Sequence, residues 1–246
     1  MNAARRPIIT TSWDDGHPLD LRVAAMLARH GLRGTFYVPL RAVKDRVLSP
    51  VEMKELLAMG MEIGSHTVTH PVLTQIPMND VDRELRDSRR MLEDVLGREV
   101  TSFCYPAGRF NRGIVQRAAH AGYRVCRTTV DFRTGLQFDP VVMPVSLQLF
   151  RHRPATHYRH ALRHKNWRGL WRWRRRLGGE TDPIALAAQM MAAVPESGGV
   201  FHLWGHSWEI EEHGLWLAFN RIAASLGALA GGVAVTNGEV PHAASG

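Results

Sequence analysis

Two kinds of hydrophobic spacing take turns along this chain. Short apolar or β-branched runs stop abruptly at small or charged residues. Between them, apolar positions return every three or four residues. The first run, 7–13, stops at Asp14-Asp15-Gly16 and reads as a strand ending in a turn. Leu19, Val23, Met26 and Leu27 then follow at helical spacing, ended by Gly31. Residues 34–38 read as a second strand, 51–59 as a helix before Gly60, and 61–64 as a short buried strand. Asn79 is placed to cap a long helix over 80–96, closed by Gly97. Strands are expected at 101–104 and 123–128 around a helix at 112–121. Further on, Pro183 opens a helix to Ala193, and a strand at 199–203, a helix at 215–229 and a last strand at 232–235 follow. Strands alternating with helices predict an α/β protein with a parallel sheet. About seven such units predict a distorted (β/α) barrel. With no repeat and no linker, residues 1–246 read as one domain.

Composition changes this picture little. The 246 residues are 45% hydrophobic and 22% charged, which excludes a disordered, collagen-like or disulfide-scaffold chain. No apolar run is long enough to span a bilayer; the nearest, 226–235, is short and rich in Gly and Ala. The first six residues carry charge but no apolar stretch behind them, and Cys104 and Cys126 lack metal or redox spacing. We therefore expect a cytoplasmic protein, or one peripheral to the inner face of the membrane.

Charge is unevenly spread. The formal net charge is +8, yet residues 151–176 hold ten Lys and Arg and no Asp or Glu. That segment also carries Tyr158, Trp167, Trp171 and Trp173, and we read it as a basic, Trp-containing insertion at about 150–180. A solvated loop and helix is one reading. A local anionic partner is the other.

The polar residues with chemistry fall where strands end, which is where a parallel α/β barrel keeps its working groups. The first strand ends in Asp14-Asp15, the third in Ser65-His66 with His70 beyond, and the fourth in Tyr105-Pro106-Ala107-Gly108-Arg109. The fifth leads to Asp131, and the late strand to His206-Ser207-Trp208-Glu209. His66 and His70 can stand side by side on one turn. With one carboxylate from the first strand they make a two-His, one-carboxylate set that leaves open positions on a divalent metal. The neighbouring carboxylate stays free as a general base. Backbone N–H groups around Pro106-Ala107-Gly108 can hold an oxyanion, and a His from another strand can protonate a leaving amine. This is the equipment of metal-assisted amide or ester hydrolysis.

These residues resemble the polysaccharide deacetylase family, the family 4 carbohydrate esterases with the nodulation-deacetylase homology domain. Thr11-Ser12-Trp13-Asp14-Asp15-Gly16 is similar to the family's Thr-Phe-Asp-Asp-Gly, and the resemblance implies Asp14 as general base and Asp15 as metal ligand. His66-Thr67-Val68-Thr69-His70 matches His-Thr-x-x-His, implying His66 and His70 as the other two ligands. The third motif departs from Phe-Arg-x-Pro-Tyr-Gly: Cys104 stands where an Arg often sits and Ala107 where a Tyr often sits. Ala107 would still offer its backbone N–H to the oxyanion, and Arg109 is the candidate to reach back and orient the base. Asp131 resembles the fourth motif. For the last, His206 in His-Ser-Trp-Glu is favoured over His202 in Val-Phe-His as the general acid.

The resemblance implies removal of acetyl groups, N-acetyl first, from a carbohydrate or glycan intermediate, with Zn²⁺ as the expected metal and Co²⁺, Fe²⁺ or Mn²⁺ compatible with the ligands. The expected partner is an N-acetylated sugar or glycan, anionic or lipid-linked if the basic segment takes part. That segment also suits an anionic membrane surface. Nucleic acid ranks low, since nothing beyond charge points to it. Two alternatives stay open: an amidase, metal-dependent or not, acting on a small non-sugar amide, and a non-catalytic glycan-binding barrel.

Overall fold

The computed structural model describes residues 6–229 and 231–245. Strand β1 (Ile8–Asp14) is buried along its whole length, as the continuous apolar run demands of a central parallel strand. Helix α1 (Asp20–Arg29), β2 (Gly34–Val38), α2 (Pro50–Ala58), β3 (Glu62–Ser65), α3 (Met78–Leu96), β4 (Ser102–Cys104) and α4 (Arg112–His120) complete the first half. The second half contains β5 (Val125–Arg127), β6 (Leu147–Gln148), α5 (Pro154–His164), α6 (Trp167–Arg175), α7 (Pro183–Ser197), β7 (Val200–His206), α8 (Ser207–Glu212), α9 (Trp216–Gly227), β8 (Val233–Ala234) and α10 (Val240–Ser245).

The strands pair in parallel in the order β5-β4-β3-β2-β1-β7-β6, and β8 pairs the start of β1. The sheet curls until Met143, just upstream of β6, forms a single parallel bridge with Arg127 of β5. One bridge in place of a full ladder closes the wall, so the barrel is distorted, as expected. Trp13, Phe36, Val38, Ile63, Phe103, Leu147 and Phe201 belong to one continuous core between sheet and helices. Every strand delivers its C-terminal end to the same rim.

Several local expectations change. Helix α3 begins at Met78, one residue ahead of Asn79, because Pro77 at φ −59 already holds the chain in the geometry of a helix start. Asn79 therefore lies in the first turn and is not the cap. The basic segment is helical throughout most of its length, as α5 and α6, because Asn166 caps the second helix by accepting from Gly169 N–H. Strand β7 runs on to His206, so that residue is the last position of the strand. The two-residue β6 and helices α8 and α10 carry too little pattern to be read beforehand.

Candidate active site

Asp14 ends β1 and is the ladder partner of His206 at the end of β7, so strand pairing alone sets these two side by side. Asp15 follows in left-handed backbone at φ 73, which turns its carboxylate back over the strand end. Both carboxylates are buried, at 4% and 5% exposure.

The two histidines meet through a loop, not on a helical turn as expected. Thr67 and His70 both adopt positive φ, 70° and 56°. Glu84 of α3 holds the loop by accepting from Val68 N–H at 2.7 Å, Thr69 N–H at 3.0 Å and the Thr69 hydroxyl at 2.6 Å. His66 Nε2 and His70 Nε2 are brought to 3.0 Å. Asp15 Oδ1 lies 3.5 Å from His70 Nε2 and 3.9 Å from His66 Nε2.

This trio fits a divalent cation. Asp15 Oδ1 is buried and has no hydrogen-bond partner among the described residues. His66 Nδ1–H donates to the Cys104 carbonyl at 2.8 Å, which leaves its Nε2 lone pair facing the trio. Burial pushes the His66 imidazole down to about 4, against the pull of Asp14, so it is neutral as a ligand must be. A second trio, Asp14, His66 and Cys104, is also close-packed. It competes poorly: burial pushes the Cys104 thiol well above its usual value, and Arg127 already occupies Asp14.

Arg127 is a candidate site residue that sequence reasoning missed. It is fully buried at the end of β5 and donates to Asp14 Oδ1. It is also the ladder partner of Cys104, so the guanidinium absent from β4 is supplied from the adjacent strand, in register. Tyr37 and Trp204 flank it, with ring centroids 5.4 and 4.6 Å away. Burial would raise the Asp14 carboxyl, but Arg127, then His66 and His206, outweigh it and hold Asp14 down at about 2. Arg109 does not take this role. It is exposed beyond the Pro106–Gly108 turn; its backbone N–H donates to the Pro106 carbonyl, and its guanidinium has no hydrogen bond among the described residues. An arginine within the apolar strand Val125-Cys126-Arg127 was the available signal. Charge is seldom buried without a partner.

Ala107 has positive φ, 53°, inside the Pro106–Gly108 turn. Gly108 and Arg109 donate within that turn, and the Ala107 N–H makes no hydrogen bond among the described residues. It is free to meet an oxyanion. Gly108 is required here: at φ +62, a Cβ would come within 2.0 Å of Thr129 Oγ1.

His206 Nδ1–H donates to Glu209 at 2.7 Å, while its Nε2 lies 3.8 Å from Asp15 Oδ2. Trp208 Nε1–H donates to that same Asp15 oxygen at 3.0 Å. Burial works against the imidazolium, but Glu209 first, then Asp14 and Asp15, hold His206 up at about 9. His202 is different in every respect. It is buried within β7, bonded to Ser12 Oγ at 2.8 Å, and pushed down to about 3 by burial and then by the Arg127 charge. Asp131 also lies away from the catalytic groups. Its carboxylate faces His157 and His160 of α5 at 3.8 and 3.9 Å and accepts from Asn166 at 3.3 Å. Asp20 lies fully buried beside Ser207; burial, against the pull of that hydroxyl, keeps its carboxyl well above the usual range, so it offers no second base.

A cleft of about 240 Å³ joins Asp14, Asp15, His66, His70, Ala107 and His206. A hollow of about 280 Å³ at Arg33, Glu62 and Glu239 holds charges already paired, Arg33 to Glu239 at 2.6 Å, and none of these groups.

Comparison with known proteins follows the same lines. A family model described as polysaccharide deacetylase matches residues 2–126. A chitooligosaccharide deacetylase from Sinorhizobium fredii is 29% identical over 130 residues, covering 52% of this chain and 59% of that protein. The chain spans about half the length of the curated relatives it matches. The fold is shared with a mutant of the peptidoglycan deacetylase PdaC from Bacillus subtilis, at TM-score 0.62 and 15% identity over 99% of this chain and 94% of that one. It is shared too with a family 4 carbohydrate esterase from Streptomyces lividans in complex with acetate, at TM-score 0.56 and 17% identity over 94% and 93%.

Proposed function

The chain belongs to the polysaccharide deacetylase family, and from that premise we propose that it hydrolyses the N-acetyl group of a sugar or glycan intermediate. One observation carries the reading. A buried Asp15-His66-His70 trio with an orphaned carboxylate oxygen stands directly beside an ionised Asp14 clamped by Arg127.

Asp15, His66 and His70 would hold the cation, Zn²⁺ in the first instance, which supplies Lewis acidity to the acyl carbonyl and the attacking water. Asp14 takes the proton of that water, and Arg127 keeps its carboxylate ionised and aimed. The Ala107 N–H receives the developing oxyanion. His206, charged through Glu209, delivers a proton to the departing amine. Acetate and a free amino sugar result. The relatives' printed activities, on chitooligosaccharide and on peptidoglycan N-acetylglucosamine, support an acetamido sugar as substrate.

Acetate release from N-acetylglucosamine oligomers and from monomeric N-acetyl sugars tests this. We expect release by the wild type and a loss of about 10²–10⁴-fold in Asp14→Asn. Release that survives Asp14→Asn overturns the assignment of the base.

A second partner reading rests on α6. Trp167 and Trp171 are 56% and 55% exposed, four residues apart, among Arg168, Arg174, Arg175 and Arg176. Such a face suits an anionic membrane surface presenting a lipid-linked sugar. The cytoplasmic placement belongs to the same proposal. Co-sedimentation with vesicles containing anionic phospholipid should fall when Arg174, Arg175 and Arg176 are changed to Gln. Unchanged co-sedimentation removes this reading.

A further inference from the structure

We propose that Arg163, flanked by Arg109 and Arg159, forms a subsite for a phosphate group carried by the substrate sugar. The inference deepens the deacetylase reading by naming a substrate class.

The cleft has two chemically different sides. Asp14, Asp15, His66, His70 and His206 form the catalytic side, and His152, His160 and Arg163 line the other. His160 and Arg163 come from α5, whose placement is fixed by packing. His164 stacks on Phe110 at 5.8 Å and lies 3.4 Å from Thr129 Oγ1, while buried His157 packs on Trp173 at 4.7 Å. These contacts lay α5 against the Ala107 turn, where no large side chain projects. Arg159 and Arg163, four residues apart, share one face of the helix.

Among the described residues, none of Arg109, Arg159 and Arg163 has a carboxylate partner; Arg159 bonds only the Thr156 hydroxyl, at 3.4 Å. The nearby acids are already engaged. Asp14 is held by Arg127, and Asp131 by Asn166 and the α5 histidines. All three arginines are exposed at the cleft edge, and slight desolvation with the like charges of Arg109 and Arg159 draws the Arg163 guanidinium below its usual value. Burial and neighbouring charge hold His152 and His164 down at about 4, so at neutral pH both are neutral. Unpaired arginine charge at the edge of a cleft is relieved by a bound anion. Three guanidiniums suit a group with more than one charge and several acceptor oxygens, which is phosphate.

Equilibrium binding to the full chain, measured by calorimetry, tests this without turnover. The probes are N-acetylglucosamine, N-acetylglucosamine 1-phosphate and the carboxylate-bearing N-acetylmuramic acid. We expect the phosphate probe to bind at least about tenfold tighter than the neutral sugar, with the preference falling as salt rises. Arg163→Gln should reduce that preference about tenfold, and Arg163→Lys should retain part of it. Arg90→Gln, which removes the same charge from exposed α3, should keep the preference. No preference in the wild type, the same loss in Arg90→Gln, or a preference surviving Arg163→Gln overturns the subsite. Preference for the carboxylate probe alone overturns phosphate as the ligand. Tight phosphate binding without acetate release overturns the deacetylase reading and leaves the subsite standing. Equal KM for acetate release from all three probes overturns the subsite alone.

Discussion

The candidate metal trio with its neighbouring Asp14, and the groups that brace and wall them, come from different halves of the barrel and are built differently. Asp14, Asp15, His66 and His70 lie at or just after the ends of β1 and β3, within the stretch that the family model covers. Their positions follow from short-range backbone geometry: a left-handed Asp15, and a loop with left-handed Thr67 and His70 tied to α3 through Glu84. Arg127, His206, Glu209 and the α5 wall lie beyond residue 126; His206 and α5 line the same cleft, while Arg127 and Glu209 hold Asp14 and His206 from behind it. Arg127 arrives through register with Cys104, His206 through register with Asp14, and α5 through a ring stack on Phe110. The candidate catalytic groups cluster in the local half; in the proposed reaction the second half would tune them and select what enters.

The largest expected effect is in the second half. Arg127→Met leaves Asp14 buried and unpaired, and breaking a buried pair costs about 3–5 kcal/mol. Thermal unfolding should register a large fall in Tm, and acetate release should fall with it. Arg127→Lys should recover stability better than activity, because a single ammonium cannot reproduce a planar guanidinium held between two rings. Equal stability in Arg127→Met and the wild type would undo the claim that Arg127 balances Asp14.

Next comes the pairing of His206 with His202. His206→Gln should slow acetate release by about 10²-fold or more with little loss of stability. His202→Gln should do the opposite, costing about 1–3 kcal/mol through the orphaned Ser12 hydroxyl and altered packing. Steady-state kinetics beside thermal melts separates the two, and reversed results would exchange their roles. His202 also predicts a pH signature. Its folded value of about 3 lies below the ordinary 6.5, so the unfolded chain binds more protons between these limits. Its contribution is complete above about pH 6.5 and is lost progressively as pH falls toward 3. Tm should therefore decline less steeply over that window in His202→Gln than in the wild type.

The smallest effect is in the first half. Glu84→Gln weakens the anchor of the His66–His70 loop while leaving every ligand in place. We expect metal affinity to drop by about tenfold, measured by competition with a chelator, with little change in Tm. No change would mean that the loop holds its shape without α3.

The same contrast sets how much of the fold and of the site is legible in the sequence. Residues 34–38 form a strand with the bounds that the pattern predicts, and Asp15, His66 and His70 are adjacent in space as expected, because a strand end followed by a tight loop is encoded within a few residues. Sequence offers Arg109 as the partner for Asp14 because it lies close to Cys104, where the arginine is missing; the guanidinium comes from β5, since sheet register decides which side chains become neighbours. Asp131 was matched on sequence order, yet α5 draws its carboxylate toward His157 and His160. Motif order favours His206 over His202, but the bond of His206 to Glu209, which Gln148 also donates to, depends on α8 and β6, elements too short to announce themselves.

The central claim is that Asp15, His66 and His70 form a metal site and that Asp14 works beside it without holding the ion. Bound divalent metal per chain, measured by elemental analysis after loading with Zn²⁺ and removal of excess, tests it most directly. The account predicts one ion per chain in the wild type and in Asp14→Asn, and none in His66→Ala or Asp15→Asn. A wild type that takes up no ion, or a His66→Ala variant that keeps it, would contradict the account.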